Sequence, residues 1–317
     1  MSPDNRFHEL FQEKISGHLA ALEQKRLVVR KYSMLMIGLF IAGIVIVIGR
    51  ATGIATGPEM LVLIIGLIVS SVVMFFIFNS KRTAYATEYK QKIIRSVIDL
   101  VDPAFSYEPK QKIDPADYKK SGLYVHSYDT YRGDDLVKGQ RGVTNFRFSE
   151  LFTSYRVQTG KTTTTVTIFK GIFFIADFNK NFFSRTYAWS ESNPQLNFFN
   201  KMFGSFNDGL EKVMLESPQF EERFIVYSSD QVESRYILSP SFMEKMVALQ
   251  DKFGRGMVFS FVQGQVFMAI PTAKELFEPT VFRSPDEKGI EEYYNTLQML
   301  VEIIDDLELN TRIWNKA

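Results

Sequence analysis

The residues able to do chemistry are few and scattered. The chain of 317 residues has three histidines, His8, His18 and His126, and no cysteine. A histidine metal site would have to gather these with carboxylates from distant segments, and nothing in their spacing suggests it. A Ser-His-Asp arrangement would have to use His126, yet no serine lies in a Gly-x-Ser-x-Gly elbow. There is neither a Gly-x-x-x-x-Gly-Lys-Ser/Thr loop nor a Gly-x-Gly-x-x-Gly turn, so no nucleotide cradle is supported. The missing cysteine removes disulfides, thiolate metal sites and thiol nucleophiles. Asp134-Asp135 reads as a polar turn, and the Thr162–Thr165 run as a solvated strand edge. The densest polar cluster beside an aromatic is DQVESRY, which holds Asp230, Glu233, Arg235 and Tyr236. An arginine next to a tyrosine suits an anionic ligand, so Arg235 and Tyr236 are the candidate binding residues. The alternative is an internal ion pair that orients a turn before a helix at Ser239. No catalytic residue, metal ligand or cofactor site is expected.

The elements that would position such a site start with two uncharged apolar runs, Tyr32–Gly49 and Met60–Phe78. As helix, eighteen residues reach about 27 Å, close to the hydrocarbon thickness of a bilayer of about 30 Å. Between them Gly53, Gly57 and Pro58 break helix and permit a turn. Lys25, Arg26, Arg30 and Lys31 precede the first run and Lys81, Arg82, Lys90, Lys92 and Arg95 follow the second, while the turn offers Arg50. The positive-inside rule then places both ends in the cytoplasm. Apolar residues at helical spacing flank the runs: Phe7, Leu10, Phe11, Ile15, Leu19 and Leu22 before, and Ile93, Ile94, Val97, Ile98 and Val101 after. These extensions are expected either to pair as a stalk or to lie on the membrane surface, with the second ending at Asp102-Pro103. Gly38, Ala42 and Gly43 include small residues four apart, so a homo-oligomer through the first span is a further possibility.

Charge follows the same division. Residues 1–99 hold twelve Lys and Arg against seven Asp and Glu, a net of +5, and residues 100–317 hold twenty-five against twenty-nine, a net of −4. Basic excess beside the spans suits anionic lipid headgroups. A mildly acidic domain argues against a nucleic-acid platform.

After residue 120 the pattern turns to strands. Leu123–Tyr131, Val143–Arg156, Thr162–Phe178, Thr186–Ser190, Val213–Glu216, Phe224–Ser228, Gly256–Val262 and Gln265–Ile270 are the candidates, the last two joined as a hairpin at Gln263-Gly264. Ser217-Pro218, Ser239-Pro240 and Ser284-Pro285 each place a capping hydroxyl before a proline suited to the first helical position. Ser284 with Glu287 and Ser241 with Glu244 fit a capping box. A final helix over Asp286–Leu309 carries an apolar stripe of Ile290, Tyr293, Tyr294, Leu297, Leu300, Val301, Ile304 and Leu307, expected to pack on its own domain.

FKGIFFIADFNKNF at Phe169–Phe182 and LESPQFEERFIVYSSDQVESRYILSPSF at Leu215–Phe242 resemble a bacterial family known as domain of unknown function 3137. SGLY at Ser121 and DDLVKGQRGVTNFRFSEL at Asp134 resemble it as well. The resemblance implies a membrane-tethered bacterial domain of mixed α and β structure, and supplies no catalytic residue. Phe173, Phe174, Phe178, Phe220, Phe224 and Tyr236 in these motifs are expected to be core.

The expected protein is therefore α+β. A cytoplasmic juxtamembrane helix (1–31) and a transmembrane hairpin (32–49 and 60–78, turn 50–59) precede a helical stalk (79–103) and a mainly antiparallel β domain with flanking helices (104–317). The function it suggests is a multi-pass bacterial inner-membrane module that binds a protein or a lipid headgroup at the cytoplasmic face, without nucleic acid or cofactor. The competing reading is an enzyme on a membrane-proximal substrate, which a deep polar pocket containing perturbed carboxylates would favour.

Overall fold

A computed structural model describes residues 7–9, 11–53, 57, 59–124, 127–194, 196, 209–254 and 256–309. The chain forms two compact units, Met1–Leu100 with Phe277–Tyr294, and Val101–Leu276 with Asn295–Ala317.

The first unit is helical. A π-helical turn, Phe11–Ile15, leads into α1 (Ser16–Ala51); α2 (Glu59–Tyr89) continues through a second such turn, Lys90–Ile94, into α3 (Arg95–Val101). The second helical run stops at Asp102-Pro103, as proline requires. Thr52 closes α1 by donating both its N–H and its hydroxyl to the carbonyl of Ile48. Pro58 of the turn and Leu10 lie outside the described residues. Both helices are long and apolar enough to cross a membrane. Their large side chains face outward, with Phe40 and Val62 each 70% and Phe76 67% exposed, the reverse of a soluble core helix.

Beyond the apolar runs the burial pattern inverts. Leu22, Val29, Tyr85, Tyr89, Ile93, Ile94 and Val97 are buried. So is Arg26, whose guanidinium grips Glu23 with Nε at 2.8 Å and Nη2 at 2.6 Å and donates Nη1 to the carbonyl of Val281 at 2.8 Å. The Ser284 hydroxyl donates to the same Glu23 carboxylate at 2.9 Å. Lys90 pairs with Glu278 at 2.7 Å, and Lys25 with Glu88. These contacts clasp the segment after Phe277 onto α1 and α2.

Ser284 is thus not the cap expected of it. Asp286 caps the last helix, Glu287–Asp306, by accepting from the N–H of Gly289 at 2.9 Å, while Glu287 meets His8 rather than a capping serine. An exposed serine beside a pinned carboxylate finds a better acceptor there than a helix start offers a donor. The expected stripe from Ile290 to Leu307 is buried except at Tyr293, which is half-buried.

The second unit is a nine-stranded antiparallel sheet in the order β1-β2-β3-β4-β9-β8-β5-β7-β6. The strands are β1 (Ser106–Glu108), β2 (Thr130–Arg141), β3 (Thr144–Thr159), β4 (Thr162–Asp177), β5 (Thr186–Ser190), β6 (Glu211–Val213), β7 (Phe224–Ser228), β8 (Val258–Val262) and β9 (Gln265–Pro271). Alternation identifies most of them from sequence, and the turn at Gln263-Gly264 carries the two positive φ angles, 50° and 71°, of the expected hairpin. Three departures stand out: the strand expected at Leu123–Tyr131 lies further on, as β2, in a stretch rich in glycine and charge; the one expected at Val213–Glu216 shares only Val213 with β6; and β1 is too short for its pattern to single it out. Asp134-Asp135 is accordingly no polar turn. The two sit at a register shift in β2, where Asp135 is buried with φ at 59° and accepts from the Tyr107 hydroxyl at 2.5 Å.

β3 and β4 pair down to Thr159↔Thr162, whereas β2 accompanies β3 only to Ser154 and β9 accompanies β4 only from Gly171. Residues 155–167 therefore project as a two-stranded ribbon, exposed from Arg156 to Thr165. The helices of this unit are α4 (Pro115–Lys120), α5 (Pro218–Glu221), α6 (Gln231–Ile237) and α7 (Pro240–Phe253), followed by the last helix, α8. Ser217 caps α5 through its hydroxyl as expected. Ser239 precedes Pro240 at the start of α7 but makes no side-chain cap bond, and Ser241 lies inside that helix.

Candidate functional site

The DQVESRY cluster forms one short helix at the edge of the sheet. Asp230 is its cap, accepting from the N–H of Val232 at 2.7 Å and of Glu233 at 2.9 Å. Glu233 reaches sideways and accepts from the backbone N–H of Phe183 at 3.0 Å and of Ser184 at 2.7 Å. Burial works against its charge, but these donors prevail and hold its carboxyl below the ordinary value. Arg235 finds no carboxylate among the described residues. Its guanidinium donates to the carbonyls of Gln231 at 2.8 Å and Met214 at 3.1 Å, and Gln231 donates its amide to the carbonyl of Lys212 at 3.1 Å. α6 thereby covers the outer carbonyls at the end of β6, the last strand of the sheet, which would otherwise be open to pairing with another chain.

Behind α6 lies a buried lysine. Lys180 Nζ donates to the carbonyls of Tyr236 at 2.8 Å and Ile237 at 3.1 Å, the free acceptors at the helix end, where a cation is also favoured. The rings of Tyr236, Phe178 and Phe242 surround the ammonium at 5.0, 5.6 and 5.8 Å. Burial pulls its pKa below the usual lysine value.

With these polar groups satisfied inward, the outer face is apolar. Phe183 is 93% exposed, Val232 78%, Met214 60% and Tyr236 40%. Three segments meet here: the loop before β5 tied through Glu233, the end of β6 tied through Arg235, and α6 itself. Tyr236 is the one aromatic of its motifs that departs from the expected core; Phe173, Phe174, Phe178, Phe220 and Phe224 are buried. Arg235 and Tyr236 do come together at this surface, joined by Phe183, Met214 and Val232, which sequence reasoning passed over. A signal existed in Phe182-Phe183, because adjacent side chains of an extended segment point to opposite sides and both cannot enter the core.

A second feature is polar. A cavity of about 440 Å³ is lined by Ser190, Glu191, Ser192, Glu222, Arg223 and Gln250. The Ser190 hydroxyl accepts from the Gln250 amide and lies 2.9 Å from that of Ser192, with no imidazole in the lining. Arg223 is paired with Asp251. Of the histidines, His8 contacts Glu287 at 2.6 Å, His18 stands exposed on α1, and His126 lies outside the described residues.

Residues 167–309 match the model of a protein family described as a protein of unknown function, DUF3137. The chain resembles that family. The DUF3137 match spans a little under half of the chain and contains every residue of the apolar surface. No curated protein matches. Among solved structures, the mycobacterial trehalose monomycolate transport factor A, TtfA, is similar at 10% identity and a TM-score of 0.34, over 68% of this chain and 93% of that one.

Proposed function

We propose that this chain is a membrane-anchored docking protein of the bacterial inner membrane. Its two apolar helices cross as a hairpin with both termini in the cytoplasm, their inner extensions form a stalk, and the β unit binds a protein partner there. The observation that carries the reading is the surface of Phe183, Met214, Val232 and Tyr236 around Arg235. Aromatic residues, methionine and arginine at the centre of a patch are the composition of protein interfaces, and such residues dominate their energetics. A lipid headgroup is less well served, because Asp230, Glu233 and Glu211 stand among the cations Arg235 and Lys212.

The test is crosslinking in native membranes followed by purification of the full chain. A partner protein should be captured by the wild type and lost from Phe183→Ser and Val232→Asp, whose exposed sites keep the fold within about 0.5 kcal/mol. Capture unaffected by both variants refutes the docking surface. A periplasmic reporter active at the C-terminus refutes the orientation.

A further inference from the structure

The molecule treats its strand edges unequally. β6, three residues long, has its outer carbonyls covered by Gln231 and Arg235. Among the described residues, nothing comparable covers Thr163–Thr165 on the β4 side of the ribbon.

Which backbone groups are open follows from the register. The N–H of Asp129 donates to the carbonyl of Ser154 at 2.9 Å, and the N–H of Arg156 donates to the Asp129 carboxylate at 2.6 Å. Ser154 and Arg156 therefore turn their backbone groups away from β4. Antiparallel pairs alternate between those that exchange hydrogen bonds and those that face outward. Arg156↔Thr165 and Gln158↔Thr163 are the outward-facing pairs, so Thr163 and Thr165 present N–H and C=O to the free side of β4. On that side β9 ends at Pro271, after which the N–H of Thr272 donates to the carbonyl of Lys170 at 3.2 Å. The outer side of β3 is less open, since Asp129 already occupies the N–H of Arg156.

The open edge is suited to extended chain. Its threonines are β-branched, it contains no proline, and Tyr155, Val157, Thr164 and Val166 share one face. A two-stranded ribbon is marginal alone in water and gains from a third strand. The charge is one-sided: residues 155–167 include Arg156 and Lys161 and no carboxylate. The geometry points to an extended, acidic segment of a partner protein that pairs with Thr163–Thr165 as an added strand. This surface is distinct from the patch at α6, so either can fail without the other.

Random peptides about twelve residues long, displayed on phage, are panned against the full chain in detergent with the Thr165→Pro chain as counter-selection. Proline removes an N–H that faces away from β3 and that no described residue accepts. Recovered peptides should be rich in Asp and Glu alternating with β-branched residues. A synthetic copy should bind the wild type about tenfold or more tighter than Thr165→Pro or Lys161→Glu, and equally well to Phe183→Ser. Lys161→Glu sits at the turn and serves alone if the proline variant does not fold. Basic or neutral peptides, equal binding across the chains, or no recovered binder overturns the proposal. A dimer of the chain alone that Lys161→Glu leaves intact and Thr165→Pro dissolves assigns the edge to a second copy, and overturns it too.

Discussion

At the level of single residues, the surface at α6 depends on two ionic groups that never meet, Glu233, half-buried, and Lys180, buried. Glu233 fastens the Phe183 loop and Lys180 fastens the helix end. Because the Glu233 carboxyl is held below its ordinary value of 4.5, its contribution is complete above that value and disappears as pH falls through the depressed one. Glu233→Gln should cost about 1–2 kcal/mol at neutral pH, with the gap to wild type closing as pH falls below 4.5, read from denaturant unfolding across pH. Lys180→Met keeps the volume and removes the donor to Tyr236 and Ile237. Amide exchange at Leu238, whose N–H closes α6 on Ser234, should then quicken while that of β8 and β9 is unchanged. Neither role is legible in sequence. A lysine inside FNKNF looks solvated until three rings and two carbonyls are seen around it, and the partners of Glu233 lie about fifty residues away.

At the level of elements, legibility tracks how far each strand is specified by its own residues. β5, β7, β8 and β9 alternate or are wholly apolar, and their bounds fall within two residues of the expectation. β2 is the opposite case. It carries Gly133, Asp134, Asp135, Lys138 and Gly139, residues that disfavour strands, and is held by its neighbours. A side chain at Gly139 would lie 2.5 Å from the Phe105 ring, and one at Gly133 would meet the carbonyl of Glu150. The glycines are thus demanded by packing that no local pattern announces. Gly133→Ala should destabilise the sheet by about 1–3 kcal/mol, measured by thermal unfolding, because the obstacle is backbone and cannot step aside. The caps show the same limit. Ser217 behaves locally, while Ser284 is claimed by a carboxylate more than two hundred residues earlier.

At the level of the whole molecule, two outward-facing apolar helices set the conditions under which the rest operates. Carbonate should leave the full chain in the membrane fraction, and release of intact chain would remove the anchor from the account. The clasp on the first unit is checked separately: Arg26→Ala strips Glu23 and the Val281 carbonyl of their buried donor, and trypsin should then cut at Arg283 several-fold faster. The last helix belongs to both units, with its first turns to Tyr294 in one and the remainder in the other. While the ribosome is still making the chain, both apolar helices are therefore complete long before the strand of sequence that packs against their base has been translated. Tyr85, Tyr89 and Arg26 wait wet until then. A shortened gene product ending near residue 276, or a soluble version begun at residue 101, would leave one half of that late-arriving seam without its mate, and each should be found by quality-control proteases.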